Sequence, residues 1–123
     1  MKKETEQWFY ETYPQLFREH TLPATQTCMC WGLDVGDGWT DILKEMCESI
    51  QNHIKETGNI DVAFTQVKEK FGSLRVYVNG GDDKIYDFIN EAERKSEITC
   101  EQTGKPAKIQ NVDGWYKTVA IEE

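Results

Sequence analysis

The chain has 123 residues, which is about one domain with a modest hydrophobic core. It carries 14 Lys and Arg against 22 Asp and Glu, a net charge of −8, so its overall field repels polyanions and argues against direct nucleic-acid binding. An acidic surface favours basic partners, and it also serves solubility.

The four cysteines follow no spacing typical of a disulfide framework. The N-terminus runs into an amphipathic polar segment rather than an apolar leader, and no apolar run approaches the length of a membrane span. We therefore expect a cytoplasmic protein without membrane contact, whose cysteines are mostly small buried apolar residues.

The first predicted element is a short amphipathic helix from Thr5 to about Tyr13, which Pro14 ends. Trp8 and Phe9 share helical spacing with Tyr13, and we interpret these aromatic side chains as core or interface anchors.

Residues 20–38 have no helical period and contain Pro and Gly, which predicts a long ordered loop with a short strand around Met29–Leu33. This loop brings Trp31, Asp37 and Trp39 together in sequence. Two interpretations are open: the tryptophans fill the core, or they line a binding pocket.

An apolar stripe of helical period from Trp39 to Ile54 predicts the longest helix. Asp37 or Thr40 is its expected N-cap, and Gly58 its expected C-cap. A second helix, capped by the Asp82-Asp83 pair, follows later in the chain, with a predicted buried stripe of Ile85, Phe88, Ile89 and Ala92.

Val62–Gly81 lies between these helices and predicts a β-hairpin, because two runs rich in β-branched and aromatic residues flank a turn at 71–73. In the second run Arg75 and Tyr77 alternate with apolar residues. In the first run the alternation slips between Phe64 and Val67, which indicates a β-bulge or a strand covered on both faces.

Residues 98–121 predict short strands separated by turns at 104–106 and 113–114. Their apolar residues, Trp115, Tyr116, Val119 and Ile121, are expected to return to the hairpin's sheet. The predicted fold is a single α+β domain spanning residues 1–123, with an antiparallel hairpin or sheet packed by two main helices and a short N-terminal helix.

Residue patterns typical of enzymes are missing. The two histidines, His20 and His53, do not lie beside a Ser or Cys in a nucleophile motif. Asp34 and Asp37 could support hydrolysis only with a divalent ion. Cys28 and Cys30 offer two thiolates where a structural zinc needs four ligands. We therefore predict no enzymatic activity, no catalytic residues, no cofactor and no metal site.

Four segments together resemble a widespread group of small phage and prophage proteins without an assigned function. In chain order these segments are CMCWGLDVGDGW, TQVKEKFGSLRVYVNGG, AERKSEITCEQTGKP and GWYKT. The resemblance covers roughly Leu16–Thr118, and QVKEKFGSLRVYV is its most specific part. It implies a phage origin and the host-cell cytoplasm, and it supplies no catalytic residues.

In many of these proteins the last third resembles a zinc knuckle with a Cys-x-x-Cys-Gly-x-Pro segment. Here Cys100 matches the first cysteine, Thr103 stands at the second, and Val119-Ala120 follow where later ligands would stand. The resemblance therefore implies that residues 98–121 form a degenerate knuckle without metal. The chain shares with these proteins Trp39, Lys68, Lys70, Phe71, Gly72, Leu74, Arg75 and Trp115.

Small phage proteins without enzyme motifs often act by binding, and we expect this one to counter bacterial immunity by sequestering an anionic, nucleotide-like signal. Aromatic rings would stack the base and cations would meet the phosphate. The expected ligand-binding residues are Trp31, Asp37, Trp39, Lys68, Lys70, Arg75 and Tyr77.

The alternative is an acidic inhibitor, resembling an anti-CRISPR protein, that binds a host defence protein directly and competes with nucleic acid. A homodimer is plausible because the short chain is rich in aromatic residues. The carboxylates expected to act in this alternative are Asp82, Asp83, Glu91, Glu93, Glu122 and Glu123.

Overall fold

A computed structural model describes residues 1–121. One sheet has the strand order β1-β2-β3, with β1 parallel and β3 antiparallel to β2, and β4 and β5 pair separately as an antiparallel hairpin. This arrangement confirms the predicted α+β class. The elements are α1 (Lys3–Thr12), β1 (Leu33–Asp34), α2 (Thr40–Thr57), β2 (Ala63–Lys70), β3 (Ser73–Asn79), α3 (Asp83–Ser96), β4 (Ala107–Val112) and β5 (Trp115–Ala120).

A β-bulge in β2 explains the slip in its alternation. Phe64 pairs with Val78 and Val67 pairs with Val76, and the register shifts between Phe64 and Gln66. The extra residue returns Val67 to the face of Phe64, so both are buried against the core. The predicted bulge is confirmed, and the opposite face of the sheet is left to polar residues.

The turn of this hairpin consists of Phe71 and Gly72, both in the left-handed region with φ of 54° and 84°. Two positive φ values are the signature of a type I′ turn, which matches the twist of the flanking strands. Asn, Asp or Gly is the usual first residue of such a turn, so a phenylalanine there is unusual.

Helix α2 ends as predicted, with Gly58 at φ 72° and its amide donating to the carbonyl of Ile54. The predicted N-cap is wrong, because neither Asp37 nor Thr40 accepts a bond from the first amides of the helix. A capping side chain needs an extended backbone at the residue before the helix. Here a 3-10 turn at Asp37–Trp39 runs directly into α2, so no such residue is present at this end.

Helix α3 begins as predicted, with Asp82 Oδ1 accepting from the amide of Ile85 at 3.0 Å. Its side chains also cover the outer edge of β3, where the amide of Leu74 donates to Ser96 Oγ and that of Val76 to Glu93 Oε2, at 2.9 and 3.1 Å. Two backbone donors of an edge strand are thereby satisfied without a further strand.

The segment before α2 is ordered mainly by 3-10 turns at Arg18–Thr21, Met29–Trp31 and Asp37–Trp39. The predicted strand lies later than expected, at Leu33–Asp34, because Gly32 at φ 75° separates it from the Met29–Trp31 turn. Over residues 1–121 no helix has the length and apolar character needed to cross a membrane.

The C-terminal strands do not return to the hairpin's sheet, which corrects that prediction. They contact it at its turn: a Cβ on Gly72 would lie 3.2 Å from Ile109 Cγ2 and 3.3 Å from the backbone of Lys117. The turn of one hairpin thus rests on the other hairpin without strand pairing. Trp115 and Tyr116 consequently remain 73% and 51% exposed.

Candidate functional site

The two tryptophans of the predicted pocket are in different environments. Trp39 is fully buried, and its Nε1 donates to the carbonyl of Thr99 at 2.8 Å. Trp31 lies on a 3-10 turn with 69% of its surface exposed. A ligand cannot stack on a ring that is enclosed by the core, so Trp39 is a core residue and its predicted role in ligand binding is wrong.

The GDGW segment positions the loop before α2 against the turn at residues 100–104. The amide of Gly38 donates to the carbonyl of Glu101 at 2.7 Å, and a Cβ at Gly38 would overlap the carbonyl oxygen of Cys100. Asp37 Oδ1 accepts from the backbone amide of Lys2 at 2.9 Å. These contacts give the motif, including Asp37, a structural role.

The turn that resembles a zinc knuckle is closed by hydrogen bonds. The amides of Cys100 and Gly104 bond to the carbonyls of Lys105 and Cys100, each at 2.8 Å. Burial opposes ionisation of Cys100, but bonds from the Thr103 hydroxyl and nearby backbone amides outweigh it and lower the pKa of the thiol. Across residues 1–121 no three His, Cys, Asp or Glu side chains converge as metal ligands would.

The solvent-facing side of the central sheet brings together the other predicted residues. Lys68 on β2 lies directly opposite Arg75 on β3, and Tyr77 follows on the same face, next to Gln66. Asp34 of β1 is the neighbour of Lys68 on the other side. The sheet thus places the side chains of Lys68, Arg75 and Tyr77 in one surface, which we call the cationic face.

The cations of this face have no acidic partner in the part of the chain that the structure describes. Three ion pairs are present among residues 1–121, and none includes Lys68 or Arg75. Like charges directly opposite each other destabilise a sheet. A cross-strand pair of cations without a carboxylate within 4 Å is therefore a place where an anion would bind favourably.

Lys70, the last residue of β2, follows Lys68 by two residues on the same face. It lies at the hairpin end, with its Nζ 5.4 Å from the centre of the Phe71 ring. Lys70 and Phe71 border a groove of about 590 Å³, which is lined also by Glu69, Glu101, Gln102, Gly114, Trp115, Tyr116, Lys117 and Thr118.

This groove follows the outer edge of β5. Successive strand residues point to opposite faces, and the groove nevertheless touches Trp115 and Lys117 as well as Tyr116 and Thr118. This lining fits a groove along the outer edge of β5. Phe71, which is 63% exposed, also lines it.

Phe71 has an unfavourable backbone conformation for its residue type. A bulky side chain at positive φ costs on the order of 1 kcal/mol, and the exposed ring gains little by burial. The second hairpin has the same kind of turn with Asp113 and Gly114, at φ 53° and 88°, where Asp fits well. The strained, exposed ring at the groove is therefore a candidate functional feature.

Two carboxylates of the groove are bonded to backbone amides. Glu69 Oε2 accepts from Gly72 at 2.7 Å, and Glu101 Oε2 accepts from Gly36 at 2.9 Å. Burial raises the pKa of Glu101, and the negative charges of Glu69 and Asp34 raise it further against the opposing effect of the Gly36 bond. No Lys or Arg among residues 1–121 forms an ion pair with either glutamate.

Sequence reasoning missed most of this groove. Of the predicted ligand-binding residues only Lys70 lines it. One signal was available at each hairpin: a phenylalanine in place of Asn before Gly72, and aromatic residues directly after the Asp113-Gly114 turn. The contributions of Glu69 and Glu101 depend on tertiary contacts between distant segments.

A scan against models of known families, a search of characterised proteins and a search of solved structures each found no match. The resemblance to phage and prophage proteins therefore stays a prediction.

Proposed function

We propose that the protein is a non-enzymatic, stoichiometric binding protein that holds an anionic, nucleotide-like ligand on its cationic face. The observation that carries the proposal is the cross-strand pair of Lys68 and Arg75, which lacks a carboxylate partner within residues 1–121. An oxyanion between the two cations would replace their repulsion by two charge-assisted hydrogen bonds.

Tyr77 gives this face a place for a planar group. It lies two residues beyond Arg75 on the same face, about 7 Å along the strand, and its ring is exposed. A phosphate at Arg75 would thus bring an attached base within reach of the Tyr77 ring. The proposed setting is a phage protein in the host cytoplasm that removes a nucleotide signal of bacterial immunity.

A direct inhibitor of a host protein is the second candidate, favoured by the net charge of −8. Three of its predicted carboxylates are engaged within the fold: Asp82 with His53 and Ile85, Glu91 with Arg94, and Glu93 with the amide of Val76. Because these three carboxylates already have hydrogen-bond partners within the fold, direct inhibition of a host protein is the weaker candidate. The other predicted residues are Asp83, which is exposed, and Glu122 and Glu123, which lie outside the described residues.

The first test is native mass spectrometry of the protein purified from a bacterial host, followed by denaturation and analysis of released molecules. A nucleotide-like mass that is released on denaturation would support sequestration. A complex whose extra mass is a host protein would favour direct inhibition.

The second test is calorimetric titration with ATP as a probe of the phosphate and base contacts. Lys68→Ala and Arg75→Ala should each weaken binding about ten- to a hundredfold, because each removes a charge-assisted bond. Neither should lower the melting temperature, since each relieves repulsion within the sheet. Lys55→Ala, at an exposed site near the end of α2, controls for net charge. Unfolding of both variants, or equal ATP binding by all three, would refute the proposal.

A further inference from the structure

We propose that the open edge of β5 binds an extended, basic segment of a partner protein, which adds to the β4–β5 hairpin as a third strand. The proposal concerns the groove between β5 and Phe71, and it is independent of the ligand proposed for the cationic face. It is carried by the backbone of β5, by the side chains around it and by the charges of the groove.

The backbone argument starts from the turn between β4 and β5. The strands are joined by two residues, so Val112 and Trp115 exchange backbone bonds and every second pair thereafter does the same. The amides and carbonyls of Tyr116 and Thr118 then point away from β4. Within residues 1–121 they have no backbone partner outside the hairpin. Tyr116 is exposed and its backbone is therefore available to another strand, whereas Thr118 is buried.

The far end of the same edge is closed. The backbone amide of Ala120 bonds to the sulfur of Cys100, and the amide of Glu101 donates to Thr118 Oγ1 at 3.0 Å. The turn at residues 100–104 therefore limits an incoming strand to the part of β5 near the Asp113-Gly114 turn. This part is the one that the groove follows.

The side chains around the groove suit an extended peptide. A strand added to β5 would place alternate side chains toward the two faces of the hairpin. Trp115 lies on one face and Tyr116 on the other, and Phe71 stands across the groove. Exposed aromatic residues at a site of this kind are the usual anchors of protein–protein contacts.

The charges select a basic segment. Glu69 and Glu101 line the groove without a Lys or Arg ion-pair partner in the described chain, and burial and the negative charge of Glu69 raise the pKa of Glu101. An arriving Lys or Arg would offset this repulsion and would also contact the faces of the aromatic rings. The groove's own lysines are Lys70, whose Nζ lies near the Phe71 ring, and Lys117, and neither forms an ion pair with the two glutamates. The net charge of −8 attracts a basic partner from a distance.

The test uses synthetic peptides as long as β5, which has six residues, with alternating Lys and Val. Two variants of this peptide carry N-methyl groups on alternate residues, one on the odd-numbered and the other on the even-numbered positions. A further variant replaces every Lys by Glu. N-methylation removes backbone donors and leaves the side chains in place. Binding is measured by amide NMR titration, and hydrogen exchange of the Tyr116 and Thr118 amides is measured in the same samples.

We expect saturable binding of the Lys-Val peptide with slower exchange at the exposed Tyr116 and little change at Thr118, which is buried without peptide. One N-methylated peptide should bind at least about tenfold more weakly than the parent, because its methyl groups lie on the edge that meets β5. The other should bind nearly as well, because its methyl groups lie on the opposite edge. The Glu-Val peptide should bind at least about tenfold more weakly. Phe71→Asn, which suits the turn, and Trp115→Ala should each reduce binding, whereas Trp31→Ala should not.

Three results would overturn the proposal. Equal binding of both N-methylated peptides, or equal loss in both, would show that strand addition does not occur. Protection of the Tyr116 amide without peptide, together with a dimer mass in sedimentation, would assign the edge to a second copy of the chain. Displacement of the peptide by ATP with loss of the Tyr116 shifts would assign the groove to the nucleotide-like ligand.

Discussion

Trp39 is fully buried with its indole nitrogen bonded to the carbonyl of Thr99, whereas Trp31 is mostly exposed. Trp39→Ala should lower the free energy of unfolding by about 3–5 kcal/mol, because a large cavity forms and the Thr99 carbonyl loses its donor. Trp31→Ala should change it by less than about 0.5 kcal/mol. Urea denaturation of both variants measures the difference, and similar values for the two would contradict the burial described above.

Phe71 allows a second prediction at the residue scale. Phe71→Asn should raise the free energy of unfolding by up to about 1 kcal/mol, because Asn tolerates positive φ and the exposed ring contributes little burial. Asp113→Asn in the equivalent turn is the matched control, with an expected change below about 0.5 kcal/mol. A clear loss of stability in Phe71→Asn would mean that the ring stabilises the fold rather than serving the groove.

At the scale of elements, side chains of α3 bond to the edge of β3 where a neighbouring strand would otherwise pair. Ser96 is fully buried, and its hydroxyl accepts from the amide of Leu74 while donating to the carbonyl of Glu93. Ser96→Ala should cost about 1–3 kcal/mol, since a buried amide loses its acceptor. Ser49→Ala on α2 is the control and should be nearly neutral, because the Ser49 hydroxyl has no hydrogen-bond partner among residues 1–121. An equally small effect at Ser96 would refute its role as acceptor for the Leu74 amide.

The contact between α2 and α3 leads to a pH prediction. His53 Nε2 and Asp82 Oδ2 are 2.7 Å apart, and this bond, with the Ile85 amide, lowers the pKa of Asp82. A carboxylate with a lowered folded-state pKa stabilises the fold above its unfolded value of about 3.9, and this contribution is lost as pH falls through the folded value.

Asp82→Asn keeps a capping side chain and removes this titration. The stability difference between the wild type and Asp82→Asn should stay level from about pH 5 down to about pH 4 and then shrink. Urea denaturation at a series of pH values measures it, with Asp83→Asn as the control. A difference that persists at the lowest pH would argue against a role for the ionised carboxylate.

At the scale of the whole molecule, acidic repulsion exceeds internal pairing. The net charge is −8 with neutral histidines, and residues 1–121 contain two ion pairs of Lys or Arg, Arg94–Glu91 and Lys95–Glu45, besides the His53–Asp82 contact. Raising the ionic strength from about 0.01 to about 0.15 M should therefore increase the free energy of unfolding, because screening weakens the repulsion more than it weakens the pairs. A decrease, measured by urea denaturation, would show that the pairs dominate.

Local patterns in the sequence were sufficient for the α+β class, the three helices, the central hairpin with its bulge and the C-cap at Gly58. Each of these depends on neighbours within a few residues, through helical or strand periodicity and turn chemistry. The grouping of Lys68, Arg75 and Tyr77 on one face was also accessible, because the alternation of one hairpin determines it.

Tertiary structure alone decided which aromatic residues are exposed and where the groove beside β5 lies. The apolar stripe of α2 includes Trp39, but nothing local shows that Trp31 is exposed or that Trp115 and Tyr116 lie on an open strand edge. The groove forms because the turn at Phe71 and Gly72 meets β5, and its acidic side requires Glu101 to approach Glu69. Such contacts join segments far apart in the chain, and their geometry follows from the packing of the whole core rather than from any single pattern.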